Sequence, residues 1–150
     1  MEAESFSDDD VSAFINKTFI PLEIHIKDNP TGFHRFDVLW TPSVLIMDAG
    51  GIERVRNEGY LPKKEFQAWL AMGLARLSFV GKNWVDAEER FDTVVRLYPD
   101  SGVAAYSVYW RGVSRYKRTH NPADLSAVAG EFRLKYQESI WAKKASVWGD

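Results

Sequence analysis

Past Pro62 this chain shows one kind of periodicity and no other. Apolar residues recur at three- and four-residue spacing in successive stretches, which restricts the rest of the chain to helices. Phe66, Trp69, Leu70, Gly73, Leu74 and Leu77 mark a first stripe, with Pro62 at a first helical position. Gly81-Lys82-Asn83 breaks it. Trp84, Ala87, Phe91, Val94 and Tyr98 mark a second stripe, closed by Pro99. Ala104, Val108, Gly112 and Val113 mark a third, ending near Thr119. Asn121-Pro122 opens a fourth with Leu125, Val128, Ala129 and Phe132, and Ser139 caps a short last helix with Ile140, Trp141, Ala145 and Trp148.

Upstream the periods are mixed. Ser7 with Asp10 three residues later reads as a capping box for a helix over 8–18, with Val11, Phe14, Ile15 and Phe19 on one face. Pro21 ends it. Leu22, Ile24 and Ile26 then alternate with Glu23, His25 and Lys27, which predicts a strand over 21–27 with one wet face. Asn29-Pro30-Thr31-Gly32 is a turn, followed by a short piece around Phe33 and Phe36. The run Ser43-Val44-Leu45-Ile46-Met47 predicts a strand buried on both faces. Asp48-Ala49-Gly50-Gly51 is hairpin material, so Ile52 to Asn57 should return antiparallel. No linker-like stretch separates the two kinds of region. The expected division is 1–72 and 73–150, with the helix from Pro62 belonging to both and joining them rigidly. Charge divides similarly: residues 1–60 carry five Lys and Arg against eleven Asp and Glu, while 61–150 carry fourteen against ten.

Several functions are excluded by composition. A net charge of −2 gives no bulk attraction for nucleic acid. The longest nearly apolar run, Val38 to Met47, is too short for a membrane span and contains Pro42. The first ten residues are acidic and lack an apolar stretch, so no secretory signal is read and the cytoplasm is the default compartment. There is no cysteine, which removes disulfides, thiolate metal sites and cysteine nucleophiles together. His25, His34 and His120 show no metal-ligand spacing. No nucleophile elbow and no phosphate loop is present, so neither catalytic residues nor a cofactor are expected.

Arg111, Arg115 and Arg118 fall at i, i+4 and i+7, on one helix face with Lys117 beside them. Such a run is most often a solvated face. The functional alternative is a site for an anionic partner, such as an acidic peptide tail. Trp84, Trp110, Trp141 and Trp148 sit at packing positions between helices, whereas Trp40 belongs either to the core or to a substrate groove.

Two resemblances follow. Tyr98-x-x-Ser101-x-x-Ala104-x5-Trp110 recurs 38 residues later as Tyr136-x-x-Ser139-x-x-Ala142-x5-Trp148. With Leu74, Ala75, Trp84, Ala87, Phe91 and Pro99, residues 70–148 resemble tetratricopeptide repeats, though the spacing exceeds the usual period of about 34. That resemblance implies an interaction module. Residues 8–72 resemble the latter part of a thioredoxin-fold protein. The carrying residues are Phe19-Ile20-Pro21-Leu22-Glu23-Ile24, Phe36 through Asp48 with Trp40-Thr41-Pro42 before the buried strand, Gly50-Gly51, and Gly59-Tyr60-Leu61-Pro62. Met1 through Phe6 followed by Val11 is similar to bacterial thioredoxin-like proteins just after their cysteine pair.

The resemblance implies a cis Thr41–Pro42 bond and a loop, Trp40, Thr41 and Pro42, that meets an extended protein substrate. It also implies a Cys-x-x-Cys and two strands upstream of Met1, so the chain is expected to be a late-started or trimmed version of a longer protein. One of those strands would lie between 21–27 and 43–48. Either these two pair directly, or another chain fills the gap, or the first 60 residues are loosely ordered.

The expected fold is therefore α/β plus α, an incomplete thioredoxin-like fold joined to a tetratricopeptide-like helical extension. The expected function is that of a relative of thiol–disulfide oxidoreductases acting on protein thiols, redox-inactive as given because it has no cysteine. The alternative is a non-catalytic protein- or peptide-binding module using the helical repeats. Self-association through an unpaired strand edge is a third outcome.

Overall fold

The computed structural model describes residues 8–149. The chain forms two compact units that divide between Phe66 and Gln67.

The first unit opens with α1 (Asp9–Thr18), whose N-cap is Asp8. Its carboxylate accepts a hydrogen bond from the Val11 amide at 3.2 Å and pairs with the Lys63 ammonium. Both contacts hold the Asp8 carboxyl below its usual range, the Lys63 contact foremost. The predicted cap residue, Ser7, lies outside the described residues. Asp9 and Asp10 place negative charge against the positive end of the helix dipole. A second helix, α2 (Pro30–Arg35), is capped by Asn29, whose side chain accepts from the Gly32 amide at 2.7 Å.

The strand predicted over 21–27 does not form. Residues 20–25 run without a ladder and close in a turn, where the Asp28 and Asn29 amides both donate to the His25 carbonyl. Ile20 and Leu22 are 98% and 79% exposed. Alternation assigns side chains to faces, but a strand exists only where a neighbouring backbone takes its amides and carbonyls. No such neighbour lies beside this segment among the described residues, and direct pairing with the 43–47 strand is not adopted.

The sheet has two strands among the described residues, β1 (Ser43–Met47) and β2 (Glu53–Glu58), antiparallel with Ser43 opposite Glu58 and Ile46 opposite Val55. The connecting turn is organised by Asp48. Its Oδ1 accepts the Gly50 and Ile52 amides at 2.9 and 3.0 Å, and Oδ2 takes the Arg54 side chain at 2.8 Å. Gly51 has φ 74°, which a side chain would strain. The expectation that β1 is buried on both faces is not met, since only Ile46 is fully buried. A sheet of two strands leaves most of an apolar strand half-covered.

The division between units falls within α3 (Lys63–Val80). Beyond it come α4 (Trp84–Leu97), α5 (Ala104–Thr119), α6 (Ala123–Leu134), α7 (Ile140–Ala145) and a 3-10 turn at Ser146–Trp148. In this second unit α4 packs on α5, α5 on α6, and α6 and α5 on α7. The core takes Ala87, Phe91 and Val94 from α4, Ala104 and Val108 from α5, Val128 and Phe132 from α6 and Ala145 from α7. Ser107 and Ser114 are buried on α5, and each hydroxyl donates to the carbonyl four residues back, at Val103 and Trp110. This satisfies the hydroxyls without a partner from another helix.

The aromatic residues fill the space between helices. Phe79 meets Trp84 and Trp110 edge-on at 5.0 and 4.8 Å, Tyr106 meets Trp141 at 4.9 Å, and Tyr109 stacks on Trp148 at 4.7 Å. The 38-residue recurrence has a physical counterpart in two similar turns. The Ser101 amide donates to the Tyr98 carbonyl at 3.1 Å, and the Ser139 amide to the Tyr136 carbonyl at 3.0 Å. Tyr136 also donates its hydroxyl to the Pro99 carbonyl, tying the second turn to the first.

Ser139 caps α7 through the Ala142 amide, at 3.1 Å. Ser139→Ala should lower the stability of the helical unit by about 1 kcal/mol, and Ser139→Asp should retain it. Urea unfolding followed by tryptophan emission reads the difference. Equal midpoints for Ser139→Ala and the native chain would show that the cap carries no weight.

Candidate functional site

Each unit carries one candidate site. In the first unit, the loop over 36–42 is pinned at both ends. Asp37 has φ 47°, a left-handed conformation that aspartate tolerates better than most residues. The Arg56 guanidinium of β2 reaches this bend, donating to the Phe36 carbonyl at 2.5 Å and the Asp37 carbonyl at 3.1 Å. The same guanidinium pairs with Glu53 at 2.7 Å and Glu58 at 3.4 Å, which raises its pKa, Glu53 contributing most. At the other end the Gly59 amide donates to the Pro42 carbonyl at 2.8 Å, and the Ser43 hydroxyl to the Trp40 carbonyl at 2.6 Å. The Thr41–Pro42 bond is cis.

Between these ties the chain presents Leu39, Trp40 and Thr41 to solvent, with Leu39 78% and Trp40 70% exposed. An indole and an isobutyl group exposed at successive positions give this tied loop an apolar surface. The loop leads directly into β1, whose edge opposite β2 has no ladder partner among the described residues. Trp40 thus stands outside the core, the other of the two placements open from sequence being untouched by its exposure. Leu39 carried no signal of its own in the sequence, being one apolar residue in the nearly apolar run from Val38 to Met47.

In the second unit, a groove of about 520 Å³ runs between α4 and α5, lined by Val85, Glu88, Glu89, Asp92, Thr93 and Arg96 opposite Arg111, Arg115 and Arg118. The three arginines predicted to share a face do so. They also face carboxylates. Arg111 bridges Asp92 at 2.8 Å and Glu131 at 2.5 Å. Arg115 and Arg118 converge on Glu88 at 2.7 and 2.9 Å. The hydrogen bond to Glu88 is the main cause raising the Arg115 pKa. Arg96 has no ion-pair or hydrogen-bond partner among the described residues. The recurrence of Val85, Glu88/Glu89, Asp92 and Arg96 at helical spacing was the readable signal for this side of the groove.

His25 pairs with Glu23 at 2.9 Å on exposed chain, and among the described residues no three His, Asp or Glu side chains converge on a metal position. No helix among the described residues is long and apolar enough to cross a membrane.

No curated protein and no solved structure matches the chain. Residues 1–73 do match the family model described as a thioredoxin-like domain, and the rest of the described chain is a helical extension.

Proposed function

We propose that the chain is a non-catalytic, thioredoxin-like polypeptide-binding protein that takes an extended protein segment along Leu39, Trp40, Thr41 and Pro42 and the open edge of β1. The observation that carries this reading is the exposure of Leu39 and Trp40 on a loop held at both ends. A fixed loop loses little entropy on binding, and an open strand edge supplies amides and carbonyls to an extended chain. Thiol–disulfide exchange requires an attacking thiolate. These 150 residues contain none, so their own side chains perform no exchange. The helical extension is read as tetratricopeptide-like, supported by the recurring turn at Tyr98–Ser101 and Tyr136–Ser139.

The test uses fluorescein-labelled insulin B chain with its cysteines carboxymethylated, titrated with the full chain and followed by anisotropy. Trp40→Ala should weaken binding about tenfold and Thr41→Ala less, as expected for an aromatic anchor on a contact loop. Charge reversal at Arg111 and Arg115 should leave this affinity unchanged. Equal affinity for the native chain and Trp40→Ala would sink the reading, as would absence of binding. In parallel, dithiol-driven reduction of intact insulin should proceed no faster with the chain than without it.

A further inference from the structure

We infer that the groove between α4 and α5 is a separate binding site for a short extended peptide bearing side-chain carboxylates. Every residue lining it belongs to the second unit. Its geometry starts from Glu88, whose side chain is only 13% exposed and which holds two guanidiniums at once. A guanidinium has five N–H donors in a planar fork matched to a carboxylate. Arg115 commits one nitrogen to Glu88, and Arg118 commits two. Both side chains line the groove and stay about half exposed, so donors remain for a second carboxylate. Glu88 therefore acts as a positioning residue that orders the pair before any ligand arrives.

Arg96 supplies the second charge. It lines the same groove, is exposed and has no internal partner among the described residues. From Val85 to Arg96 the face of α4 spans about 16 Å, the length of roughly five residues of extended chain. Val85 is an exposed apolar residue at one end, and Glu89 offers an acceptor between the cationic positions.

This pattern favours a peptide over other anions. No aromatic ring lines the groove to stack on a base. Glu88, Glu89 and Asp92 interrupt the cationic positions, which disfavours a continuous row of phosphates more than carboxylates separated by neutral residues.

The test titrates the full chain into a fluorescein-labelled peptide, Glu-Leu-Glu-Gly-Glu with an amidated C-terminus, at low salt. The free-acid peptide, the Gln-Leu-Gln-Gly-Gln amide and an oligothymidylate of equal charge are run alongside. The glutamate amide should bind, with affinity falling as salt is added, and the glutamine peptide at least about tenfold more weakly. The free acid should gain little over the amide. Arg96→Glu should weaken binding about fivefold with only a small fall in melting temperature. No internal pair is broken, although a carboxylate then stands in the last turn of α4, four residues after Asp92. Arg115→Gln with Arg118→Gln should weaken it further, while Trp40→Ala should leave it unchanged. The assignment is overturned if the glutamine peptide binds equally well, if Arg96→Glu has no effect, if the free acid alone binds, if the oligothymidylate binds as tightly, or if nothing binds.

Discussion

Gly112→Ala should lower the stability of the helical unit by about 2 kcal/mol. A methyl group built at Gly112 of α5 would stand 1.9 Å from Val128 Cγ2 and 3.3 Å from its Cβ on α6. That is far inside van der Waals contact. Val128 is β-branched within a helix and confined essentially to one rotamer, so it cannot swing aside. The helices must separate, and overpacking of this kind costs about 1–3 kcal/mol or more. Alanine recovers up to about 1 kcal/mol through its better helix propensity, which leaves the net loss. The cycle with Val128→Ala identifies the cause. Gly112→Ala with Val128→Ala should be more stable than the sum of the single changes implies, by about 1–2 kcal/mol. Urea curves from helical circular dichroism supply all four values. Strict additivity would show that these two residues do not limit the approach of α5 to α6.

Phe91→Ala should be still more damaging, at about 4 kcal/mol. Phe91 is 1% exposed on α4, flanked on the same face by the buried Ala87 and Val94, with the Tyr106 ring at 6.0 Å. Removing a ring from such a position forfeits its transfer energy and leaves a cavity the helices only partly close, a loss of about 3–5 kcal/mol. Total stabilities run to about 5–15 kcal/mol, so one substitution removes a large share. Phe91→Leu keeps most of the volume and should cost well under half as much. A fall below about 1 kcal/mol for Phe91→Ala in the same denaturation experiment would contradict the placement of this ring.

These two residues also show what was readable beforehand. Phe91 and Gly112 both lie on apolar stripes that the sequence displays, because a helix is built from contacts three and four residues apart. The partner of Gly112, sixteen residues on, is a matter of helix packing and leaves no local mark. The same limit explains the arginine face. The spacing of Arg111, Arg115 and Arg118 was legible, whereas their pairing with Glu88, Asp92 and Glu131 depends on which helices adjoin. The segment around Leu22 and Ile24 failed for a related reason. Its alternation is genuine, but a ladder needs a second strand, and that requirement is non-local. The Trp40-Thr41-Pro42 loop stood out through resemblance, while its anchor, Arg56, came to light only with the fold.

The order of helix contacts in the second unit has a kinetic consequence. Packing of α4 on α5, α5 on α6, and α6 and α5 on α7 joins elements one or two places apart along the chain. Each contact closes a short loop, so the unit has low contact order, the topology that folds in microseconds to milliseconds. A helical unit of this kind reaches its final form soon after its residues are available.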